Sequence, residues 1–325
     1  MSLNISKKIL IKLIVDIFSL LFVGLFVLFL YLFAKPYKRG YFCNDLTIRY
    51  PYRDSTINSY SLAALVLLPI IVAVASVETY RYKNSQYTSK LDKTLLRELY
   101  DKYIPFLFGA LMSILCTYIA KVSVGRLRPY FYGVCQPNVV CDTINVYQYI
   151  EDFECTGTDG APTEAVTEMR MSYMSGHSST MAFSMVYLVI YLHKRFPVRN
   201  SQQHTALIRA LVQGLALNLA IYVGYTRISD YWHHWSDVMI GLIQGALSAT
   251  LTAYYLSDLC TDDDVDGLPV GLVLSDNNNT NNSRMNTSGP SNEYNLESGR
   301  LSIGPNNSSN NNNNFHIRLV NHTSI

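Results

Sequence analysis

Long apolar runs, separated by polar segments, fill most of this chain. Each run comes close to or exceeds the roughly 20 residues that a helix needs to cross a bilayer. The pattern predicts an all-α integral membrane protein with six transmembrane helices, at 9–33, 60–77, 104–120, 178–192, 206–225 and 238–256. A cleaved signal peptide is the alternative for the first run. It is disfavoured because the run is long and the AKPYKRG segment after it lacks a small-residue cleavage site.

The distribution of charge predicts how the helices are oriented. Lysine and arginine are slightly more frequent in the loops on the side of the N-terminus, and these residues favour the cytoplasm. An even number of spans places both termini on that side, so we expect cytoplasmic N- and C-termini. Residues 1–258 then form the membrane domain. Residues 259–325 begin with an acidic stretch and become rich in asparagine, which predicts a disordered cytoplasmic tail.

Composition narrows the class of protein further. Hydrophobic residues make up 49% of the chain and charged residues 15%, which is too apolar for an ordinary soluble domain of this size. The net charge of +2 gives no indication of nucleic-acid binding. If the loop cysteines face an oxidising compartment, a Cys135–Cys141 disulfide is one pairing they allow, although the connectivity stays open. Cys116 lies inside an apolar run and is interpreted as a small packing residue.

Three polar clusters lie at the ends of the predicted helices. They contain Lys121, Gly125, Arg126, Arg128 and Pro129 after the third helix, Ser175, Gly176 and His177 before the fourth, and Arg227, His233, His234 and Asp237 between the fifth and sixth. Any six-span topology puts all three clusters on the same side of the membrane. We therefore expect them to meet in a single site.

The residue types in these clusters suit phosphoryl transfer, in which catalysis consists mainly of positioning and stabilisation of charge. The predicted phosphate-binding groups are Lys121, Arg128, Ser175, Gly176 and Arg227. An imidazole can attack phosphorus when a carboxylate holds its second nitrogen. Asp237 could hold either His233 or His234, and spacing alone leaves the nucleophile open. His177 could protonate the leaving alkoxide and then activate water.

Each cluster alone also has a simpler interpretation. The cations could stop at the membrane surface, the Ser-Gly-His stretch could be a helix cap, and His233 and Asp237 could be a structural pair. A metal site is disfavoured because the nearby cations would repel the ion. Trp232 and Trp235 are interpreted as interfacial anchors. The joint occurrence of the clusters on one side favours a shared site.

Taken together, the clusters resemble the signature of the type-2 phosphatidic acid phosphatase superfamily, in its lipid phosphate phosphatase branch. Its first motif (Lys, six residues, Arg-Pro) is matched by Lys121, Arg128 and Pro129, its second (Pro-Ser-Gly-His) by Ser175, Gly176 and His177, and its third (Ser-Arg, five residues, His, three residues, Asp) by Arg227, His233 and Asp237. Met174 stands where the pattern has proline, and Thr226 where it has serine.

The resemblance implies a phosphatase that acts without a metal or other cofactor, through a phosphohistidine, on the outer or lumenal leaflet. The substrates it implies are phosphatidate, lysophosphatidate, sphingosine 1-phosphate and ceramide 1-phosphate. It also implies that His233 is the nucleophile, His177 the general acid and base, and Asp237 the residue that orients His233. The expected partners are lipid phosphates and the bilayer, with the plasma membrane as location, and a homo-oligomer is allowed.

Two other functions fit the same residues. One is a catalytically silent membrane protein that binds lipid phosphates or acts as a scaffold. The other is an enzyme that transfers the phosphoryl group to another alcohol or hydrolyses a soluble ester. The complete set of catalytic residue types argues against the silent protein, and a substrate panel with and without detergent would separate the other enzyme activities from lipid phosphate hydrolysis.

Overall fold

The computed structural model describes residues 2–87, 95–139, 141, 147–158, 161–196, 203–257 and 259. Apart from one pair of two-residue strands and a 3₁₀ turn, its regular structure is helical, which confirms the all-α class. The helices are α1 (Ser2–Phe33), α2 (Ser59–Tyr87), α3 (Leu95–Val124), α4 (Phe131–Cys135), α5 (Thr163–Glu168), α6 (Gly176–Arg195), α7 (Gln203–Ser229) and α8 (Trp235–Tyr255). The tail predicted at 259–325 lies outside the described residues, except for Leu259.

Five of the described helices are long and apolar enough to cross a membrane. They are Ile9–Phe33, Ser59–Lys83, Leu95–Val124, Ala206–Ser229 and Trp235–Tyr255. Large apolar side chains on these helices, such as Phe18 and Leu211, are exposed in the protein chain alone, as expected of surfaces that face lipid. The chain is therefore a multi-pass membrane protein.

Helix α6, predicted as the fourth span, is not among these five. It packs against α2, α3, α7 and α8, so its neighbours are protein side chains and it needs less apolar character than a lipid-facing helix. A Cβ on Gly245 of α8 would overlap the Ser179 carbonyl of α6, so glycine permits the close approach of these two helices. In the same interface Ser179 donates a hydrogen bond to Gln244.

At the end of the bundle away from the three clusters, two helices extend further than the sequence predicts. The charged stretch at 78–103, between the second and third predicted helices, continues α2 to Tyr87 and begins α3 at Leu95. The reason is that two of its carboxylates are paired with an arginine inside the protein. Arg195 contacts Glu78 at 3.0 Å and Glu98 at 3.2 Å, and the Glu78 side chain is only 2% exposed.

At the cluster end, the two loops that precede α2 and α6 fold into a compact cap. Strands β1 (Tyr41–Phe42) and β2 (Tyr149–Ile150) pair antiparallel, with Tyr41 opposite Ile150. Aromatic and aliphatic side chains from both loops form a second core, separate from that of the bundle.

The cap contains two disulfides, Cys43–Cys141 and Cys135–Cys155. The predicted Cys135–Cys141 pairing is therefore wrong, because β1 brings Cys43 of the earlier loop to Cys141. The prediction for Cys116 is also wrong: its thiol is free and exposed on α3.

Candidate active site

The first cluster begins where α3 ends. Gly125 has a φ of 59°, a left-handed conformation that glycine adopts readily and that ends the helix. The chain then turns back, and Arg126 and Arg128 pair through their backbones with the segment before α6: Arg128 N donates to Met169 O at 2.9 Å. Within this arrangement the Lys121 ammonium donates to Met171 O at 3.0 Å. The first two clusters are thus joined by backbone contacts.

The second cluster forms the N-terminus of α6. Ser175 is the N-cap, its side chain accepts from Ser178, and its own N–H donates to Asp237 O at 3.1 Å. A Cβ on Gly176 would lie 3.7 Å from the Lys121 Cε, so this glycine is next to the ammonium-bearing side chain. The His177 Nε2 lies 3.0 Å from Ile57 O. Because a carbonyl can only accept, Nε2 carries the proton and Nδ1 stays available.

The third cluster starts with Arg227 at the end of α7. Its guanidinium donates to Ser55 Oγ at 2.7 Å and to Asp230 Oδ2 at 2.8 Å, and it is 1% exposed. Asp230 in turn accepts from the Thr56 N–H at 2.8 Å. Thr226 keeps the hydroxyl of the expected serine and accepts from Arg227. The loop before α2 therefore packs directly on this cluster.

His233 follows in the turn between α7 and α8, where it is buried. Its Nδ1 lies 2.6 Å from Ser172 O, so Nδ1 is the protonated nitrogen and Nε2 has a free lone pair. Burial lowers the pKa of His233 well below 6.5, and the positive charges of Arg128 and Lys121 lower it further. The ring is therefore neutral at physiological pH, which a nitrogen nucleophile requires.

The sequence predicted that Asp237 holds His233, and the structure corrects this. Asp237 Oδ2 accepts from the Ser172 hydroxyl at 2.6 Å and lies 3.2 Å from the His234 Nδ1, while Oδ1 accepts from Arg126 at 2.6 Å. The physical reason is the bend of the chain at the start of α8, where His234 is the N-cap and Asp237 folds back on it in a capping box. Asp237 reaches His233 through Ser172.

Arg128 differs from its neighbours in having donors to spare. Its side chain is 1% exposed, and its Nε and Nη1 are buried without a hydrogen-bond partner in the part of the chain that the structure describes. Nη2 donates to Glu168, and the guanidinium lies 4.7 Å from the Trp232 ring centroid. Buried donors without a partner are costly, so these nitrogens are well placed to bind an anion.

Several residues of the site were not identified from the sequence. Ser172 and Ile57 contribute backbone carbonyls, which leave no mark on residue identity. Asp230 lies within the third cluster but at none of its motif positions. Glu168 is one of several acidic residues in the long loop, so nothing in the sequence distinguished either residue. Trp232 was interpreted as an interfacial anchor, which is wrong: it is 4% exposed, against 66% for Trp235, and its Nε1 donates to Arg53 O at 2.9 Å.

The arrangement can bind a phosphate group and attack it with a nitrogen. Lys121 and Arg128 supply positive charge close to His233, Arg227 supplies it close to His177, and the two imidazoles are near enough for protonation of His177 to lower the His233 pKa. Among the described residues, no group of three or more His, Cys, Asp or Glu side chains could hold a metal ion. The structure thus brings together all three clusters that the sequence singled out.

Comparison with known proteins agrees with this site. The model of the PAP2 superfamily matches residues 102–259, which contain all three clusters. Phospholipid phosphatase 2 of Homo sapiens is 41% identical over 75% of this chain and 82% of its own length. The chain therefore belongs to the PAP2 superfamily. Within the superfamily it is also similar to phospholipid phosphatase 1 of Rattus norvegicus, at 39% identity over 75% of this chain and 84% of the relative. No solved structure matches the chain significantly.

Proposed function

We propose that this protein hydrolyses lipid phosphate monoesters without a metal ion, through a phosphohistidine intermediate. The observation that carries the proposal is the pair of buried Arg128 nitrogens, without a partner among the described residues, beside a neutral His233 whose Nε2 is unprotonated. The names of the relatives, phospholipid phosphatases 1 and 2, support the reaction class. Phosphatidate, lysophosphatidate, sphingosine 1-phosphate and ceramide 1-phosphate are the proposed substrates.

In the first step, His233 Nε2 attacks phosphorus, the N–P bond forms and the bond to the lipid oxygen breaks. Lys121, Arg128 and Arg227 balance the charge on the phosphoryl oxygens, together with the Ser175 hydroxyl and the Gly176 N–H at the start of α6. These are the same groups that the sequence predicts for phosphate binding.

The protons follow a closed cycle through His177. Protonated at Nδ1 when the phosphate dianion is bound, it delivers that proton to the leaving alkoxide. In the second step His177 takes a proton from water, the resulting hydroxide attacks phosphorus and the N–P bond breaks. Asp237 acts as a positioning residue for His233, through Ser172.

The proposed topology has six spans. Helix α6 is the sixth membrane helix, shielded from lipid by its neighbours, and both termini are cytoplasmic. The site then lies on the extracytoplasmic face, and the two disulfides of the cap support this because they persist in oxidising compartments. We place the protein in the plasma membrane, with residues 1–258 as its membrane domain, residues 259–325 as a cytoplasmic tail, and a homo-oligomer compatible with this arrangement.

The decisive experiment measures phosphate release from a panel of lipid phosphates in mixed micelles, by the purified protein in excess chelator. We expect activity in the wild type, and a loss of at least about a thousandfold in His233→Ala, because no other group replaces the nucleophile. His177→Ala should lose about 100- to 10,000-fold.

Three results would reject the proposal. These are full activity in His233→Ala, dependence on an added metal, and phosphate-analogue binding without turnover of any lipid phosphate. The last would favour the silent lipid-binding function. Acid-labile ³²P on the wild type, absent from His233→Ala, identifies the intermediate.

A further inference from the structure

A carboxylate lies among the cations that the proposed function assigns to phosphate. Glu168, the last residue of α5, accepts a hydrogen bond from Arg128 Nη2. Burial by itself would raise the pKa of Glu168, but the charges of Arg128 and Lys121 and the hydrogen bond from Arg128 outweigh this effect and lower it. The carboxylate is therefore ionised, and it is close to two of the groups that would surround the phosphate.

The two partners of this ion pair differ in their freedom to move. The Arg128 side chain is 1% exposed, whereas the Glu168 side chain is 31% exposed. Arg128 is held through its backbone by Met169 and through its guanidinium by Trp232. Glu168 is the last residue of α5 and the more exposed partner, so rotation about its side-chain bonds can move the carboxylate away from Arg128 without moving the backbone.

The distribution of charge at the site explains why the Glu168 carboxylate would move when phosphate binds. Arg227 has its own carboxylate partner in Asp230, which two hydrogen bonds from Thr56 hold in place. Arg128 has Glu168, which receives no comparable hydrogen bond from the loop residues that the structure describes. A phosphate dianion that takes up the free Nε–H and Nη1–H of Arg128 comes close to the Glu168 carboxylate. Two negative groups that share one guanidinium repel each other strongly in a site shielded from water.

We propose that Glu168 is a displaceable counter-anion of the phosphate site. It binds Arg128 in the free enzyme, moves out towards solvent when a phosphate group enters, and returns as inorganic phosphate leaves. The inference rests on the proposed function and adds to it a residue that weakens product binding and so favours release.

A purely positioning role for Glu168 predicts the opposite result. If the carboxylate served to hold Arg128 in place for phosphate, its removal would weaken the binding of phosphate and its analogues. If it competes with phosphate for Arg128, its removal strengthens that binding. The sign of the change therefore separates the two roles.

The test is direct binding of orthovanadate and of inorganic phosphate to the purified full-length protein, by calorimetry. Glu168→Gln keeps the shape and loses the charge, and we expect it to bind both anions about tenfold more tightly than the wild type. The matched control is Glu154→Gln, an exposed glutamate of the same loop, which should change either affinity by less than about twofold. Glu168→Asp keeps the charge and should bind orthovanadate within about threefold of the wild type.

Equal or weaker anion binding in Glu168→Gln would overturn the inference, and so would a gain of the same size in Glu168→Asp, since the gain would then come from packing. Because binding is measured without turnover, the result is independent of the proposed reaction. Tighter binding in Glu168→Gln supports the counter-anion even if no variant releases phosphate from a lipid, in which case the proposed reaction fails.

Discussion

Buried charges gather at both ends of the helical bundle, and the two groups differ in how their arginines are satisfied. At the end away from the site, Arg195 donates to Glu78 through Nε at 3.1 Å and through Nη2 at 3.0 Å, and Nη2 also reaches Glu98 at 3.2 Å. The Tyr191 hydroxyl donates to the same Glu78 at 2.9 Å. At the site end, Arg128 has one carboxylate contact and two nitrogens without a partner in the described chain.

The comparison shows that burial of a charge does not by itself indicate a functional site. The Arg195 group is closed, because the Arg195 Nε, the Arg195 Nη2 and the Tyr191 hydroxyl each meet a carboxylate, and its role is to join α2, α3 and α6. The Arg128 group is open, because guanidinium donors remain for an external anion. Unsatisfied donors in a buried position destabilise the protein and are retained where a ligand uses them. The two arginines should therefore respond differently to equivalent substitutions.

The largest expected difference is between Arg128→Lys and Arg195→Gln. Lysine at 128 keeps the charge but loses the planar fork, so we expect kcat/KM to fall by about 10- to 100-fold, as each charge-assisted hydrogen bond contributes about 1.5–3 kcal/mol. Arg195→Gln removes the guanidinium that donates twice to buried Glu78 and leaves the longer contact with Arg81 at 3.9 Å, which costs about 3 kcal/mol and should lower the thermal inactivation midpoint by about 6 °C or more.

Each variant is the control for the other. Arg195→Gln should keep its kcat/KM within about twofold at a temperature where it is folded, and Arg128→Lys should keep its inactivation midpoint. Both quantities are measured on the same purified samples. A loss of kcat/KM in both variants, with no change in either midpoint, would mean that the distinction between an open and a closed group is wrong.

A smaller effect is expected for the link between Asp237 and His233. Ser172→Ala removes the hydroxyl that donates to Asp237 and leaves the carbonyl that holds His233 Nδ1. We expect kcat to fall by about tenfold with KM unchanged, because a hydrogen bond to a charged group is lost and the imidazole is less firmly oriented.

The His234→Gln variant provides the comparison for Ser172→Ala. His234 contacts the same carboxylate but not His233, so we expect a change in kcat of less than about threefold. Single-turnover formation of the phosphoenzyme should slow in Ser172→Ala and not in His234→Gln. If Ser172→Ala kept the wild-type kcat while Asp237→Asn was inactive, the Asp237 carboxylate would act on His233 directly, as the sequence spacing predicts.

The sequence predicted what depends on local pattern. Apolar runs specify the helices, and the motifs at their ends specify which side chains meet, because a helix fixes which of its ends a residue lies at. Cys43 and Cys141, separated by 98 residues, pair through the fold of the cap, and no local spacing encodes that contact. Helix α6 lacks the apolar signal of a lipid-facing span because other helices surround it.

Much of what the sequence did not predict in the site depends on hydrogen bonds to backbone carbonyls. The acceptors for His177 and His233 are the carbonyls of Ile57 and Ser172, and every residue type has a carbonyl. Their positions depend on the turn before α2 and on the pairing of Arg126–Arg128 with the segment before α6. The spacing of His233 and Asp237 predicts a contact on a regular helix, but His233 precedes α8, so the chain bend redirected the carboxylate to His234.

The smallest expected effect is the pH dependence of His233 reactivity. It tests whether the open group of charges at the site acts on this ring. The pKa of His233 is lowered by burial and by Arg128 and Lys121, so the ring stays neutral as pH falls through the range where an ordinary imidazole gains a proton. Between pH 7 and 5.5, reaction of diethyl pyrocarbonate with free N-acetylhistidine should slow by roughly tenfold. We expect the rate of adduct formation on the His233 peptide, followed by mass spectrometry, to change by less than about twofold. Orthovanadate should protect that peptide. A tenfold fall at His233 would mean that burial and the neighbouring cations do not keep the ring neutral, and the interpretation of Arg128 as a positive charge acting on the nucleophile would fail with it.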